Sequence, residues 1–417
     1  MWDPFGSHHA LNWALKNLAM CNKRFRRITL PSLYHDVRLN APDRIYPFIL
    51  CLVDSPHYGS LVRRISIGVD NTFRRNLRIK KGQITESDTS KILEKLKELS
   101  LPAALIKKVG ETEDADWAVA LCLLPLLTKL EGFSIQFKDS KDRQDFNAHA
   151  PIIFQPHFLS PSLRSVYLEV DRCGWMSLNV EVLTSLMSIP SIKEISVSRI
   201  GSGIEPRDTS LPFPPSQSSA HPHSNVETLR ISESMVSENT ITTLLGLSRS
   251  LTKFVYIERR WLETPRSLRR FQEAINNVSS TIEKLALELG GSVFVPNRIL
   301  SFSNFTSLVE LSISWDLLFD QDPGDIINRL PSSLETLLLR SPQRYEDGVN
   351  AKIIECFTVI LRAKSVTVLP HLDTIAVNDP TFDWTSFMDM ASERGVKIRP
   401  WDPVDQLMSD PYVMSVS

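Results

Sequence analysis

The sequence has no Cys-x-x-Cys pair, and its five cysteines (Cys21, Cys51, Cys122, Cys173 and Cys356) are scattered along the chain. An odd, dispersed set excludes a disulfide framework and predicts reduced thiols in the cytoplasm and/or the nucleus. Neither sign of charge is in excess, with Lys+Arg 47 against Asp+Glu 48. That balance removes the main electrostatic argument for nucleic acid as a partner. No apolar run approaches the length of a membrane span; the best, 117-WAVALCLLPLL-127, is short and carries a proline. The opening MWDPFGSHHALNWALKN lacks the basic-then-apolar order of a signal peptide, so no membrane partner is expected. Also missing are Gly-x-Ser-x-Gly, a Walker-type loop, Gly-x-Gly-x-x-Gly and His-Glu-x-x-His. The expectation is a chain that is not an enzyme and uses no cofactor.

What is present is a folded composition, 42% hydrophobic and 23% charged over 417 residues, and one recurring pattern. Apolar-x-x-apolar-x-apolar appears at 62-VRRISIGV-69, 130-LEGFSIQF-137, 163-LRSVYLEV-170, 192-IKEISV-197 and 226-VETLRI-231. It continues at 251-LTKFVY-256, 282-IEKLALEL-289, 308-LVELSISW-315, 334-LETLLL-339 and 372-LDTIAV-377. The alternation is that of a strand with one buried face. From the second copy onward, successive starts are 25 to 38 residues apart, centred just above the leucine-rich repeat period. Between the copies lie helical patterns, such as 237-SENTITTLLGL-247 behind a Ser cap and 265-PRSLRRFQEAINNV-278 behind a first-turn Pro. The long gap after the first copy holds helices 87–100 and 113–127 and has room for a degenerate strand. The fold class expected is therefore α/β, a leucine-rich-repeat-like solenoid with parallel strands on its concave face and helices on its convex face.

Two features depart from a regular array. Where a leucine-rich repeat places Asn or Cys, this chain has Asp70, Lys138, Asp171, Ile200, Ser234, Arg259, Gly290, Asp316, Pro342 and Pro380. The side-chain ladder that satisfies loop carbonyls there is expected to be absent or irregular. The segment 201–225, rich in Pro and Ser, reads as a flexible loop inside the array rather than a domain boundary, because the pattern resumes at Val226.

At the front, Leu15, Leu18, Cys21, Phe25 and Ile28 fall at helical spacings and form one apolar stripe, with Lys16, Lys23, Arg24, Arg26 and Arg27 largely off it. Pro31 is expected to end or bend that helix, with Leu33, Tyr34, Val37 and Leu39 carrying apolar packing into an extended segment. Physically this is a helical cap over the open end of a solenoid core. The passage 15-LKNLAMCNKRFRRITLPSLYHDVRL-39 resembles the latter part of an F-box, with Leu15, Leu18, Cys21, Phe25, Leu33 and Tyr34 at matching positions. The stretches 44-RIYPFILCLVDSPHYGSLVRRISI-67 and 111-ETEDADWAVALCLLPLLTKLEGFSI-135 look like the first steps of fungal F-box and leucine-rich-repeat proteins. The resemblance implies an F-box-like segment over 1–39 and a repeat solenoid over 40–417. It further implies a substrate receptor of an SCF-type cullin-RING ubiquitin ligase, gripping a Skp-type adaptor and presenting an unknown protein substrate. The chain departs from the family before Leu15, where no Leu-Pro-x-Glu opening is found. The alternative is a leucine-rich-repeat scaffold that binds a partner without adaptor or ubiquitin transfer.

Groups able to do chemistry read as structural. His8/His9 and His221/His223 lack metal-ligating partners at zinc spacing, and Asp114 and Asp116 open an apolar helix where carboxylates meet the helix dipole. The basic run 73-FRRNLRIKKG-82 reads as a solvated loop, and Cys21 and Cys122 as core thiols. For partner binding the candidates are the odd strand positions, which face away from the buried ones. These are Tyr167, Glu169, Arg230, Lys253, Ile257, Lys284, Glu288, Arg340 and Asn378, interleaved with Ser134, Ser196, Ser312 and Ser314. Small residues there are expected to leave the sheet face open, with Tyr167 and the arginines as anchors.

Overall fold

The computed structural model describes residues 14–39, 42–68, 85–110, 116–137, 140–170, 176–177, 180–201, 223–234, 236–258, 268–289, 300–318, 323–340, 349–365, 368–378 and 385–400. The chain forms two compact units, Met1–Asn225 and Val226–Ser417. The division falls at the end of the Pro/Ser-rich segment.

In the first unit the strands are β1 (Asp36–Leu39), β2 (Arg64–Ile67), β3 (Gly132–Phe137), β4 (Ser165–Val170), β5 (Met176–Ser177), β6 (Glu194–Ser198) and β7 (Ile200–Gly201). Strands β1, β2, β3, β4 and β6 pair in that order, all parallel, and β5 pairs with β7 as a separate parallel ribbon. The second unit holds β8 (Thr228–Ser234), β9 (Lys253–Glu258), β10 (Lys284–Glu288), β11 (Glu310–Ser314), β12 (Thr336–Arg340), β13 (Thr374–Asn378) and β14 (Lys397–Pro400). These pair in chain order and all in parallel. Each unit is therefore α/β, built on a parallel sheet. Parallel neighbours need a crossover, and helices supply most of them. Examples are Pro42–Asp54 and Ser140–Ile153 in the first unit, and Glu238–Leu247 and Leu268–Asn276 in the second.

All ten copies of the apolar pattern are strands, and each position of the pattern has its own task. The first apolar residue (Val62, Leu130, Leu163, Ile192, Val226, Leu251, Ile282, Leu308, Leu334 or Leu372) is buried just before its strand. Several of these close a tight turn, as when Leu163 N–H donates to Ser160 C=O at 3.0 Å and Leu334 N–H to Pro331 C=O at 3.2 Å. The next two apolar residues are the second and fourth of the strand and face the core. In the second unit that core lies against helices: Tyr256 of β9 meets Phe271 of helix Leu268–Asn276 with ring centroids 5.7 Å apart.

A backbone spine repeats at the strand entries. The carbonyl of the residue before one strand accepts two N–H bonds from the entry of the next. Arg63 C=O receives Glu131 and Gly132, Glu131 C=O receives Arg164 and Ser165, and Arg164 C=O receives Lys193 and Glu194. In the second unit Glu227, Thr252, Glu283, Val309 and Glu335 do the same for the strands that follow them. Hydroxyls supplement this spine at the turns: Ser160 Oγ donates to Thr128 C=O at 3.0 Å, Ser307 Oγ to Ser280 C=O at 2.9 Å and Ser333 Oγ to Leu308 C=O at 2.9 Å. Side-chain donors thus satisfy turn carbonyls at the strand entries, away from the usual ladder positions. Of the positions examined for the usual ladder, Ser234 is buried and donates to Ser232 C=O at 2.7 Å. Most of the others lie outside the described residues or have undescribed side chains.

Several expectations are corrected. The N-terminal helix is two helices, 14–21 and Lys23–His35, parted at Asn22, whose extended backbone (φ −162°) and side chain cap the second by accepting from Phe25 N–H at 2.9 Å. Pro31 does not end that second helix, which runs on to His35. Tyr34, one turn beyond the proline, is stacked on Tyr58 with centroids 4.8 Å apart and planes 6° apart, which holds the last turn in place. Within the gap after the first pattern copy, the described residues contain helices and 3₁₀ turns and no strand. Helix Glu86–Glu98 opens on a capping box between Thr85 and Asp88, and Ser237 caps Glu238–Leu247 as expected. Gly59 is required by a close approach, since a Cβ there would stand 2.2 Å from Leu126 O.

Candidate functional site

Two regions carry the residues singled out from the sequence. The first is the N-terminal helix pair. Instead of closing over a core, its apolar stripe is largely open: Leu18 is 41% exposed, Phe25 43% and Ile28 62%, and Met20, which the stripe did not include, is 69% exposed. Cys21 is exposed too, its thiol donating to Asn17 C=O at 3.3 Å, so it is not a core thiol. Leu15 is half-buried, and the only buried residue of helix Lys23–His35 is Thr29, whose hydroxyl donates to Phe25 C=O at 2.9 Å. The cap reading fails for the stripe because the contacts to the body are made elsewhere, at the end of the second helix.

That anchor is aromatic. Tyr34 stacks on Tyr58 and lies 6.4 Å from the Phe48 ring, and its hydroxyl is 3.7 Å from Cys51 Sγ. Leu33 beside it is half-buried. Partial burial, reinforced by the Cys51 thiol, pushes the Tyr34 hydroxyl up to about 12. Leu33 and Tyr34 therefore serve the fold, whereas Leu18, Cys21 and Phe25 remain available to something outside it.

The second region is the odd-position sheet face. Register places the named residues on one parity: Tyr167 lies beside Ser134 and Ser196, Lys253 beside Lys284, and Ile257 beside Glu288. The openness expected of this face fails at its middle lane. Tyr167 and Arg230 are each only 9% exposed, and Val255, Ser312, Leu338 and Ala376 in the same lane of the second unit are buried. A third-position side chain is shielded by the first and fifth positions of its own strand and by strands on both sides. The outer positions remain accessible: Lys284 is exposed, and Glu169, Lys253, Ile257 and Glu288 are half-buried. Lys284 pairs with Glu310 at 2.9 Å. Glu169 lies 3.6 Å from Arg199, a residue with φ 59° just past β6. The side chains of Arg340 and Asn378 lie outside the described residues, although their backbones pair with each other.

Among the described residues no three His, Cys, Asp or Glu side chains gather as a metal site. Cys122 is fully buried, and desolvation pushes its thiol far up, away from nucleophilic use. A shallow cleft of about 360 Å³ at the entry turns of β11–β13 is lined by Thr306, Ser307, Ser332, Ser333, Glu335 and His371. Two of its hydroxyls, Ser307 and Ser333, already donate to backbone carbonyls. The basic run 73–82, Asp114, and the histidines at 8, 9 and 221 lie outside the described residues, as does the side chain of Asp116. No described helix is long and apolar enough to cross a membrane. No protein-family model and no curated protein matches the chain.

Proposed function

We propose that the chain is a protein-binding adaptor of the F-box and leucine-rich-repeat kind, a substrate receptor of an SCF-type cullin-RING ubiquitin ligase acting in the cytoplasm and/or nucleus. The observation that carries this reading is the exposure of Leu18, Phe25 and Ile28 on the helix pair. Apolar side chains on one helix pair, left uncovered by the chain's own core, mark a surface that a partner covers. Leu18 and Phe25 are among the positions that the F-box resemblance gives to adaptor binding or to the cap. Parallel strands ordered as in the chain support the repeat solenoid, an architecture that offers an extended face to a protein substrate. Glu169 in the first unit, and Lys253, Ile257, Lys284 and Glu288 in the second, are accessible residues on such a face.

The test is co-expression with a Skp-type adaptor followed by size-exclusion chromatography. The wild-type chain co-elutes with the adaptor, and the double variant Leu18→Asp/Phe25→Asp does not, while its unfolding midpoint is unchanged because both positions are exposed. Co-elution unaffected by the double variant sinks the assignment of the site. If the wild-type chain never retains the adaptor, the scaffold without ubiquitin transfer takes its place.

A further inference from the structure

The helix pair is as distinctive in charge as in apolar exposure. Between residues 14 and 35 there are five cations, Lys16, Lys23, Arg24, Arg26 and Arg27, and not one carboxylate. All five are exposed, and none forms an ion pair among the described residues. The whole chain carries a formal net charge of −1, so the remainder is net acidic, and 14–35 is one of two carboxylate-free basic stretches, the other being 73–82, which lies outside the described residues.

From this charge pattern we infer that the partner covering residues 14–35 presents an acidic docking surface, with an apolar groove for Leu18, Phe25 and Ile28 inside a carboxylate-bearing rim. The inference rests on the adaptor reading and adds the chemistry of the adaptor's face. Charge complementarity of this kind raises the encounter rate and rejects basic partners, while the apolar seam supplies the holding contacts. A protein groove fits better than an anionic bilayer. Leu18 and Cys21 on the first helix, and Phe25 and Ile28 on the second, are each three residues apart, the narrow spacing of helix-in-groove anchors. An interfacial helix instead spreads its apolar residues over a broad face, commonly with Trp.

The test measures the Kd of a purified Skp-type adaptor for the full chain at low and high salt, beside the variant K16Q/K23Q/R24Q/R26Q/R27Q. Wild-type affinity should fall about tenfold or more between about 0.05 and 0.5 M NaCl, where screening shortens from roughly 14 to 4 Å. The variant should bind more weakly at low salt and lose most of that salt dependence, with an unchanged circular dichroism spectrum. Tight binding indifferent to salt overturns the acidic rim and leaves the adaptor reading standing. Failure to bind the adaptor, with salt-dependent capture by vesicles of one part phosphatidylserine to two of phosphatidylcholine, overturns both and makes the occupant a lipid surface. Binding to neither probe also overturns both.

Discussion

The two units share one backbone device and differ in what they hang on it. In the first, the middle lane of the odd face reads Arg38, Ser66, Ser134, Tyr167 and Ser196; in the second it reads Arg230, Val255, Ala286, Ser312, Leu338, Ala376 and Arg399. One lane is mainly hydroxyls around a tyrosine, the other mainly apolar between two arginines. The residues whose carbonyls form the spine differ as well: Arg63, Glu131 and Arg164 in the first unit, and Glu227, Thr252, Glu283, Val309 and Glu335 in the second. The spine asks only for a backbone carbonyl, so its side chains are free to diverge. The lane is likewise released from facing the helices, and its chemistry follows each unit's own surroundings.

The contrast can be broken most forcefully at Leu338, 6% exposed in the apolar lane. Leu338→Ala should cost about 2–4 kcal/mol in urea unfolding, the loss of a buried side chain plus a cavity. Ser134→Ala, in the corresponding lane of β3, should stay within about 0.5 kcal/mol. Equal effects at the two sites would mean that the lanes differ in composition only.

A smaller effect of opposite sign is expected at Ser312. Its hydroxyl is buried without a hydrogen-bond partner among the described residues. Ser312→Ala should therefore be neutral or stabilising by up to about 1 kcal/mol, since an orphaned hydroxyl is removed from an apolar lane. Ser196→Ala, in the hydroxyl lane of the first unit, should bring no such gain. A marked loss at Ser312 would show that the lane is polar in solution.

The smallest effect is confined by pH to the first unit. The Tyr34 hydroxyl is pushed up to about 12 in the folded chain, whereas an unfolded tyrosine ionises near pH 10. Folding thus favours the neutral hydroxyl. Its contribution is complete below about pH 10 and is lost as pH rises toward about 12. Tyrosinate absorbance should reveal one late-titrating tyrosine that disappears in Tyr34→Phe. The wild-type stability advantage over that variant should shrink across the same interval; an advantage constant through it would place the hydroxyl's role outside the fold.

Most of the sheet was legible in the sequence because the pattern records three separate demands: a turn-closing residue and two core-facing ones. β1 fits the same rule as Tyr34-x-x-Val37-x-Leu39, within the stretch expected to be extended, although the helix runs on to His35 before it. β14 left a weaker trace, since Gly395 and Pro400 stand where apolar residues would be, with Ile398 alone between them. The candidate site was legible in membership and not in sense. Spacing gathered Leu18, Cys21, Phe25 and Ile28 into one stripe, yet the same spacing serves a residue buried by its own chain and one awaiting a partner. Parity likewise put Tyr167 and Arg230 on the right face, while their burial depends on neighbouring strands far away in sequence.

The spine also gives each unit a direction of growth. Each linked strand entry takes two bonds from the carbonyl before it and offers a carbonyl to the entry after it. Removing or duplicating one whole strand-and-helix module therefore keeps donors and acceptors matched, whatever the length of the module. Sliding a strand by one residue leaves both sides unmatched. The lengths between strands can accordingly drift while the register cannot, so changes in this chain are best absorbed as complete modules or as lengthened crossovers.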